Sequence, residues 1–107
     1  MPTVLPEAEE ATDNQSETGF APLYHVILLD DDDHTYEYVI RMLGAIFGFD
    51  SEKGMAHARE VDQSGRTILI TTTLERAELK RDQVHGFGAD PLMAHSKGSM
   101  RAVLEPA

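Results

Sequence analysis

The feature that most constrains the fold of this chain is a short apolar run that ends abruptly in acidic residues. Tyr24-His-Val-Ile-Leu-Leu29 is rich in aliphatic side chains and is followed by four consecutive aspartates, Asp30 to Asp33. A short apolar run of this kind predicts a buried β-strand. Aspartate is unfavourable in strands and favours turns and helix starts. The chain is therefore expected to pass directly from a buried strand into a charged turn.

The rest of the sequence predicts three helices and further strands. Apolar positions recur at helical spacing from Tyr36 to Phe47, with Thr35 as a candidate N-cap and Gly48 as a stop. The remaining elements are a helix from Asp50 or Ser51 to Gly65, a strand over Thr67–Thr73, a helix from Thr72 or Thr73 to Gly86, and strand pieces at Pro91–Met93 and Arg101–Glu105. The β-α-α-β-α-β order predicts an α+β fold, in which three helices pack on one face of a small antiparallel sheet.

The first residues differ in composition from this predicted domain. Residues 1–23 carry five acids and no Lys or Arg, and they have no hydrophobic periodicity. Such a segment does not bury enough apolar surface to offset the entropy lost on folding. We therefore interpret residues 1–22 as a disordered acidic N-terminal tail and residues 23–107 as a single domain.

The composition of the whole chain narrows the expected partners and compartment. The 107 residues have a formal net charge of −10, no cysteine, and nine Lys and Arg that are scattered along the sequence. Nucleic acid is not an expected partner, because binding to phosphates needs clustered cations. No apolar run approaches ~18 residues and no secretory leader is recognisable, so no membrane partner is expected. We expect a cytoplasmic protein without disulfides or thiolate metal sites.

Five segments form a pattern at characteristic spacing. They are Tyr24–Val39 with its strand and acidic turn, the second helix Asp50–Gly65, Glu75-Arg-Ala-Glu-Leu-Lys80, Asp90-Pro-Leu92, and the terminus Leu104-Glu-Pro-Ala107. Together they resemble the ClpS family of Clp protease adaptors over about residues 24–107. The resemblance implies an adaptor that is not an enzyme and that needs no cofactor or metal.

By this resemblance, the protein binds the free N-terminal residue of N-degron substrates and delivers them to a ClpA- or ClpC-type unfoldase for ClpP proteolysis. The expected partners are substrate proteins or peptides with free N-termini and the N-terminal domain of the unfoldase.

The family position of each residue then implies three groups of site residues: those that bind the amine, those that line the side-chain pocket and those that dock the unfoldase. The α-amine would be bound by Asp30, Asp31, Asp32 and Asp62. The bulky hydrophobic side chain would occupy a pocket lined by Tyr36, Val39, Ala58, Val61, Leu92 and His34, with Tyr36 at the gating position. The unfoldase would dock on Glu75 and Lys80.

The chemistry of such a site follows from its residue types. A free α-amine is largely cationic at neutral pH, and a carboxylate gives it a charge-assisted hydrogen bond of roughly 1.5–3 kcal/mol. Burial of a large apolar side chain contributes a comparable ~1.5–3 kcal/mol. Because neither contribution alone offsets the entropy of association, the two together select a free N-terminus with a bulky first residue.

Three positions depart from the family pattern. Asp30 replaces an Asn, Asp62 replaces a His, and Ala58 replaces a Met. An ionised Asp62 only accepts hydrogen bonds, whereas a neutral His both donates and accepts. Convergence of Asp30, Asp32 and Asp62 would make each carboxylate raise the proton affinity of the others. Ala58 leaves a deeper pocket than Met would, unless Tyr36 leans into it. A deeper pocket would favour aromatic first residues over Leu.

Other functions stay open at this point. One is a ClpS-like protein-interaction module that has lost recognition of the amine, because Asp30 and Asp62 are altered. Another is a hydrolase that holds a metal in the Asp30–Asp33 cluster beside His34, although the spacing lacks the Gly and closing Glu of an EF-hand. A phospho-receiver domain is excluded, because Ile68-Leu-Ile-Thr-Thr72 ends without an aspartate and the chain is too short for five βα units.

Overall fold

A computed structural model describes residues 21–107, which form six regular elements. In chain order these are β1 (Leu23–Leu29), α1 (Tyr36–Phe47), α2 (Ser51–Ser64), β2 (Arg66–Thr73), α3 (Leu74–His85) and β3 (Arg101–Pro106). The predicted β-α-α-β-α-β order is confirmed. The interpretation of a disordered tail concerns residues that lie outside the described part, apart from Ala21 and Pro22. Within residues 21–107, no helix has the length and apolarity needed to cross a bilayer.

The predicted strand at Pro91–Met93 is wrong, because these residues form a turn. The backbone N–H of Met93 donates to the carbonyl of Asp90 at 3.2 Å, which closes the chain on itself. Pro91 has no N–H to give to a ladder, and the side chain of Asp90 accepts the N–H of Leu92 at 2.8 Å. The last strand therefore begins only at Arg101.

The three strands form one antiparallel sheet in the order β2-β1-β3. β1 pairs on both sides, which accounts for its apolar sequence: Val26, Ile27 and Leu28 are fully buried. Leu29, the last residue of β1, pairs with Arg66 at the start of β2 and with Arg101 at the start of β3. The end of β1 and the residues that precede β2 and β3 therefore lie together at one end of the sheet.

The helices pack on one face of this sheet and close a single core. Its buried members come from every element: Val26 and Leu28 of β1; Tyr38, Val39, Met42 and Leu43 of α1; Ala58 and Val61 of α2; Leu69 of β2; Ala77 and Val84 of α3; Ala102 of β3; and Met100 before it. Gly54 allows α1 and α2 to approach closely, since a Cβ there would lie 3.3 Å from the Cα of Ile40. The predicted one-face arrangement is confirmed.

Caps at the helix ends explain where the helices begin and stop. Thr35, Asp50 and Thr73 each accept, through the side chain, the backbone N–H three residues further on. α1 and α2 stop at Gly48 and Gly65, which have φ values of 73° and 84° in the left-handed region that favours glycine. These local features place Tyr36 in the first turn of α1 and residue 62 in the last turn of α2.

Candidate functional site

A small pocket opens where the end of β1 meets the first turn of α1 and the C-terminal half of α2. Its volume is about 40 Å³, and it is lined by Asp30, Asp31, His34, Tyr36, Val39, Ala58, Val61, Asp62 and Met100. Three of these, Val39, Ala58 and Val61, belong to the core and are at most 3 % exposed. Asp30 and Asp62 are exposed. The pocket thus has apolar walls next to carboxylates that reach solvent.

Eight of the ten residues that were expected to bind the substrate's amine or side chain line this pocket. Asp32 does not: it is exposed in the turn after β1. Leu92 does not either, because it lies in the turn described above with 57 % of its surface exposed. Met100, which sequence reasoning missed, lines the pocket instead. One feature of the sequence indicates that Met100 is buried near the site: it is an apolar residue between a polar loop and β3.

The convergence of Asp30 and Asp62 follows from the connection between α2 and β2. The backbone N–H of Asp30 donates to the carbonyl of Gly65 at 3.0 Å, and Leu29 pairs with Arg66. Asp62 lies on the last turn of α2, three residues before Gly65. The turn at Gly65 therefore holds residues 30 and 62 at the same edge of the pocket.

The surroundings of Asp30 and Asp62 disfavour further negative charge at this edge of the pocket. Although Asp30 is exposed, partial desolvation of its carboxyl raises its pKa above the usual value, and the nearby charge of Asp62 raises it further. Asp62 also lies at a helix C-terminus, where the backbone dipole disfavours an acid, and the last turn of α2 has no basic residue. A cation bound between the two side chains would relieve both penalties.

Asp31 has partners within the protein. Its Oδ1 lies 2.7 Å from Nδ1 of His34 and accepts the backbone N–H of Asp33 at 2.9 Å. The other ring nitrogen of His34 lies 2.7 Å from the carbonyl oxygen of Gly98, and the ring centroid is 4.4 Å from that of Tyr38. His34 therefore connects the acidic turn to the segment before β3, and Asp31 is less available to a ligand than Asp30 or Asp62. Within residues 21–107, no group of three or more acidic or His side chains is placed to hold a metal ion.

Tyr36 extends across the pocket from α1 to α2. Its hydroxyl donates to Oδ2 of Asp62 at 2.6 Å, and 37 % of its surface is exposed. This hydrogen bond, together with partial burial, raises the pKa of Tyr36 above its usual value, so the hydroxyl keeps its proton at neutral pH. The residue at the expected gating position is therefore bonded to one of the carboxylates expected to bind the amine.

The two residues expected to dock the unfoldase differ in their surroundings. Glu75 is exposed in the first turn of α3. Lys80 is partly buried, and its Nζ donates to the carbonyl of Ile46 at 2.7 Å, near the C-terminus of α1. Burial lowers the pKa of Lys80, and the charge of Arg76 lowers it further. Lys80 thus joins α3 to α1 through its ammonium group.

A buried carboxylate outside the pocket positions the first turn of α1. Asp90 is 2 % exposed, and its Oδ2 accepts the N–H of Thr35 at 2.6 Å and the hydroxyl of Thr35 at 2.9 Å. Burial alone would raise the pKa of Asp90, but hydrogen bonds from Thr35 and Leu92 outweigh it and lower the pKa. Sequence reasoning missed this residue, although Asp before Pro is typical of a turn closed by the aspartate side chain.

Replacement of Asp30 by Asn should raise the thermal stability of the protein at pH 7, because it removes a charge that burial and Asp62 disfavour. A carboxyl whose folded-state pKa is raised favours the folded state at low pH, and this contribution disappears as the pH rises through that pKa. The gain should therefore be present at pH 7 and absent near pH 3. Thermal unfolding at both pH values tests this, and an equal gain at both would contradict it.

Comparison with known proteins agrees with this architecture. The family described as "ATP-dependent Clp protease adaptor protein ClpS" matches residues 20–95. This chain belongs to the ClpS family. The ClpS adapter of Desulforapulum autotrophicum is 33 % identical over 82 residues, which cover 75 % of this chain and 79 % of that one. The ClpS adapter of Nautilia profundicola is 29 % identical over 106 residues, which cover 98 % of each.

A solved structure has the same fold. It is ClpS2 of Agrobacterium tumefaciens bound to L-phenylalaninamide, which superposes with a TM-score of 0.70 at 24 % identity and covers 80 % of this chain and 98 % of its own. Membership of the ClpS family makes this chain an adaptor of a Clp protease and not an enzyme. The expected fold class and family are confirmed.

Proposed function

We propose that this ClpS adaptor binds the free N-terminal residue of cytoplasmic substrate proteins and delivers them to a ClpA- or ClpC-type unfoldase for degradation by ClpP. The preferred first residue is bulky and hydrophobic, and aromatic rather than aliphatic. One observation carries the proposal: the exposed carboxylates of Asp30 and Asp62 stand beside the apolar walls of one pocket. Among the described residues, neither carboxylate forms an ion pair with a basic side chain.

The amine half of the recognition rests on charge. An α-amine has an ordinary pKa of about 7.7–8.0 and is mostly an ammonium ion at neutral pH. Placed between Asp30 and Asp62, it neutralises two acids that repel each other and offsets the helix dipole at residue 62. An acetylated N-terminus has no such charge, so it keeps only the hydrophobic part of the interaction.

The side-chain half rests on the walls of the pocket. Val39, Ala58 and Val61 present aliphatic surface, and burial of a large side chain against such walls contributes about 1.5–3 kcal/mol. The small Ala58 takes up less of the pocket than a larger side chain would, which favours the flat face of an aromatic ring. The ligand in the Agrobacterium structure, L-phenylalaninamide, has a free α-amine and a phenyl ring. It supports the choice of phenylalanine as the first probe.

Delivery needs a second surface that stays accessible while the substrate is bound. Among residues 21–107, the lining of the pocket includes no residue of α3. α3 exposes Glu75 in its first turn, and Leu74 and Leu79 of the same helix are 42 % and 53 % exposed. We assign docking of the unfoldase to this face of α3, with Lys80 holding α3 against α1 at its edge.

The test of this proposal is the affinity of short peptides that differ only in their first residue. Fluorescence anisotropy at pH 7 should show binding to peptides that begin with Phe, Tyr, Trp or Leu, with the aromatic residues ahead of Leu. N-acetylation of the Phe peptide should weaken its binding at least about tenfold, because one charge-assisted bond is worth ~1.5–3 kcal/mol.

Peptides that begin with Ala or Val are the matched controls for size, and those that begin with Lys or Arg test whether the acids accept a basic first residue. Failure of every free N-terminus to bind would contradict the proposal. The function would then be that of a ClpS-like interaction module that has lost amine recognition.

A further inference from the structure

We propose that Tyr36 and Asp62 form a latch across the pocket, and that the α-amine of the substrate opens it by competing with the Tyr36 hydroxyl for Asp62. The inference rests on the proposed function and adds to it a regulation of the same pocket. The observations that carry it are one hydrogen bond and one volume: the hydroxyl lies 2.6 Å from Oδ2 of Asp62, and the pocket behind it holds about 40 Å³.

The pocket is too small to enclose the side chains it is proposed to bind. A cavity of about 150 Å³ holds a benzene ring. The pocket of about 40 Å³ is well below that size. The pocket therefore cannot enclose a phenyl group unless one of the lining residues moves.

Among the large side chains that line the pocket, Tyr36 moves at least cost. Val39, Ala58 and Val61 are at most 3 % exposed and belong to the core, where displacement disturbs close packing. Tyr36 is 37 % exposed and stands in the first turn of α1, so its ring turns into solvent without disturbing the sheet. That movement breaks its hydrogen bond with Asp62.

The same carboxylate is what the incoming amine needs. An ionised Asp62 only accepts hydrogen bonds, and the hydroxyl of Tyr36 already donates to its Oδ2. An ammonium ion brings a full charge and forms a stronger bond to a carboxylate than a neutral hydroxyl does. The free N-terminus therefore displaces Tyr36, and its side chain fills the space that the ring leaves open.

The latch lowers the affinity of the resting adaptor. When only a fraction of molecules is open, the apparent dissociation constant is the intrinsic constant divided by that fraction. A ligand recovers this lost affinity only if it has both a positive charge that binds Asp62 and a side chain large enough to fill the opened pocket. The latch thus strengthens the discrimination against acetylated or small first residues.

The decisive variant is Tyr36→Phe, which keeps the ring and removes the hydroxyl. It should bind a Phe-initiated peptide about tenfold more tightly than the wild type, since the amine no longer competes for Asp62. Tyr24→Phe is the matched control: it removes a hydroxyl from a residue of β1 that does not line the pocket. This variant should leave the affinity unchanged.

A double-mutant cycle shows whether the gain passes through the carboxylate. In an Asp62→Ala background, Tyr36→Phe should have no effect on affinity, because no latch exists to be removed. An equal gain in both backgrounds would overturn the inference, because it would come from the ring alone. Unchanged or weaker binding by Tyr36→Phe would overturn the latch and leave the proposed function standing. Binding of free N-termini by neither the wild type nor Tyr36→Phe would overturn both.

Discussion

Replacement of Asp90 by Ala should lower the free energy of unfolding by about 3 kcal/mol, a large share of the stability of a domain of this size. The carboxylate is buried and accepts three hydrogen bonds, two from Thr35 and one from the N–H of Leu92. Each donor left buried without a partner costs about 1–3 kcal/mol, and water that enters recovers part of that loss. Urea unfolding monitored by circular dichroism measures the change.

Asp50 provides the matched control, because it is an exposed aspartate that caps α2 through one hydrogen bond to the N–H of Lys53. Asp50→Ala should cost only about 1 kcal/mol, as is usual for an exposed N-cap. Asp90→Asn should lie between the two alanine variants, since one amide oxygen replaces two carboxylate oxygens. An Asp90→Ala cost no greater than that of Asp50→Ala would show that the buried hydrogen bonds contribute little.

The pH dependence of the same variant has a definite sign. The pKa of Asp90 is lowered in the folded protein, so its contribution is present above the pKa of an unfolded aspartate, about 3.9, and is lost as the pH falls through the folded value. The difference in stability between wild type and Asp90→Ala should therefore shrink in strong acid. A difference that grows on acidification would contradict the assignment of a charged, hydrogen-bonded Asp90.

The parts of the fold that could be predicted from the sequence are those determined by residues close together in the chain. The strand at β1 follows from its apolar run, and the starts and stops of α1 and α2 follow from caps at Thr35 and Asp50 and glycines at Gly48 and Gly65. The error at Pro91–Met93 has a non-local cause. Pro-Leu-Met resembles a strand piece, but Asp90 is held by Thr35, which is 55 residues away in sequence, and it closes a turn there instead.

The resemblance to the ClpS family predicted which residues belong to the candidate site wherever a residue of this chain matched a position in the family pattern. Sequence does not say which carboxylate of four consecutive aspartates faces a pocket. Asp31 lines the pocket because it binds His34 and the N–H of Asp33, while Asp32 turns to solvent. Met100 replaces Leu92 in the lining because the path of the intervening loop depends on hydrogen bonds such as that from Gly88 to Ser99.

The hydrogen bond between Tyr36 and Asp62 could not be predicted from the sequence, for a different reason. The two residues lie on separate helices, 26 positions apart, and their contact depends on the approach of α1 to α2 at Gly54 and on the choice of side-chain rotamers. Sequence indicated only that Tyr36 could lean into the pocket. The partner, and with it the competition for Asp62, required the three-dimensional arrangement.

Replacement of Asp62 by Lys should weaken the binding of peptides with a free N-terminal Phe by about a hundredfold or more. The change removes one carboxylate and places an ammonium beside Asp30, where it occupies the position proposed for the α-amine and repels the ligand. A loss of this size corresponds to about 2.8 kcal/mol, at about 1.4 kcal/mol for each tenfold change, within the range measured for close charge pairs at interfaces. Fluorescence anisotropy with the free and N-acetylated peptides measures it.

Stability separates this effect from unfolding. A cation in the last turn of α2 is favoured by the helix dipole and relieves the repulsion at Asp30, and these gains offset the loss of the hydrogen bond from Tyr36. The melting temperature of Asp62→Lys should therefore stay close to that of the wild type. Glu78→Lys makes the same change of charge on the exposed surface of α3 and should leave peptide affinity unchanged. An equal loss of affinity in both variants would mean that the peptides respond only to the net acidity of the protein. Full affinity in Asp62→Lys would mean that the amine is bound without Asp62, and the two-carboxylate site proposed for it would have to be abandoned.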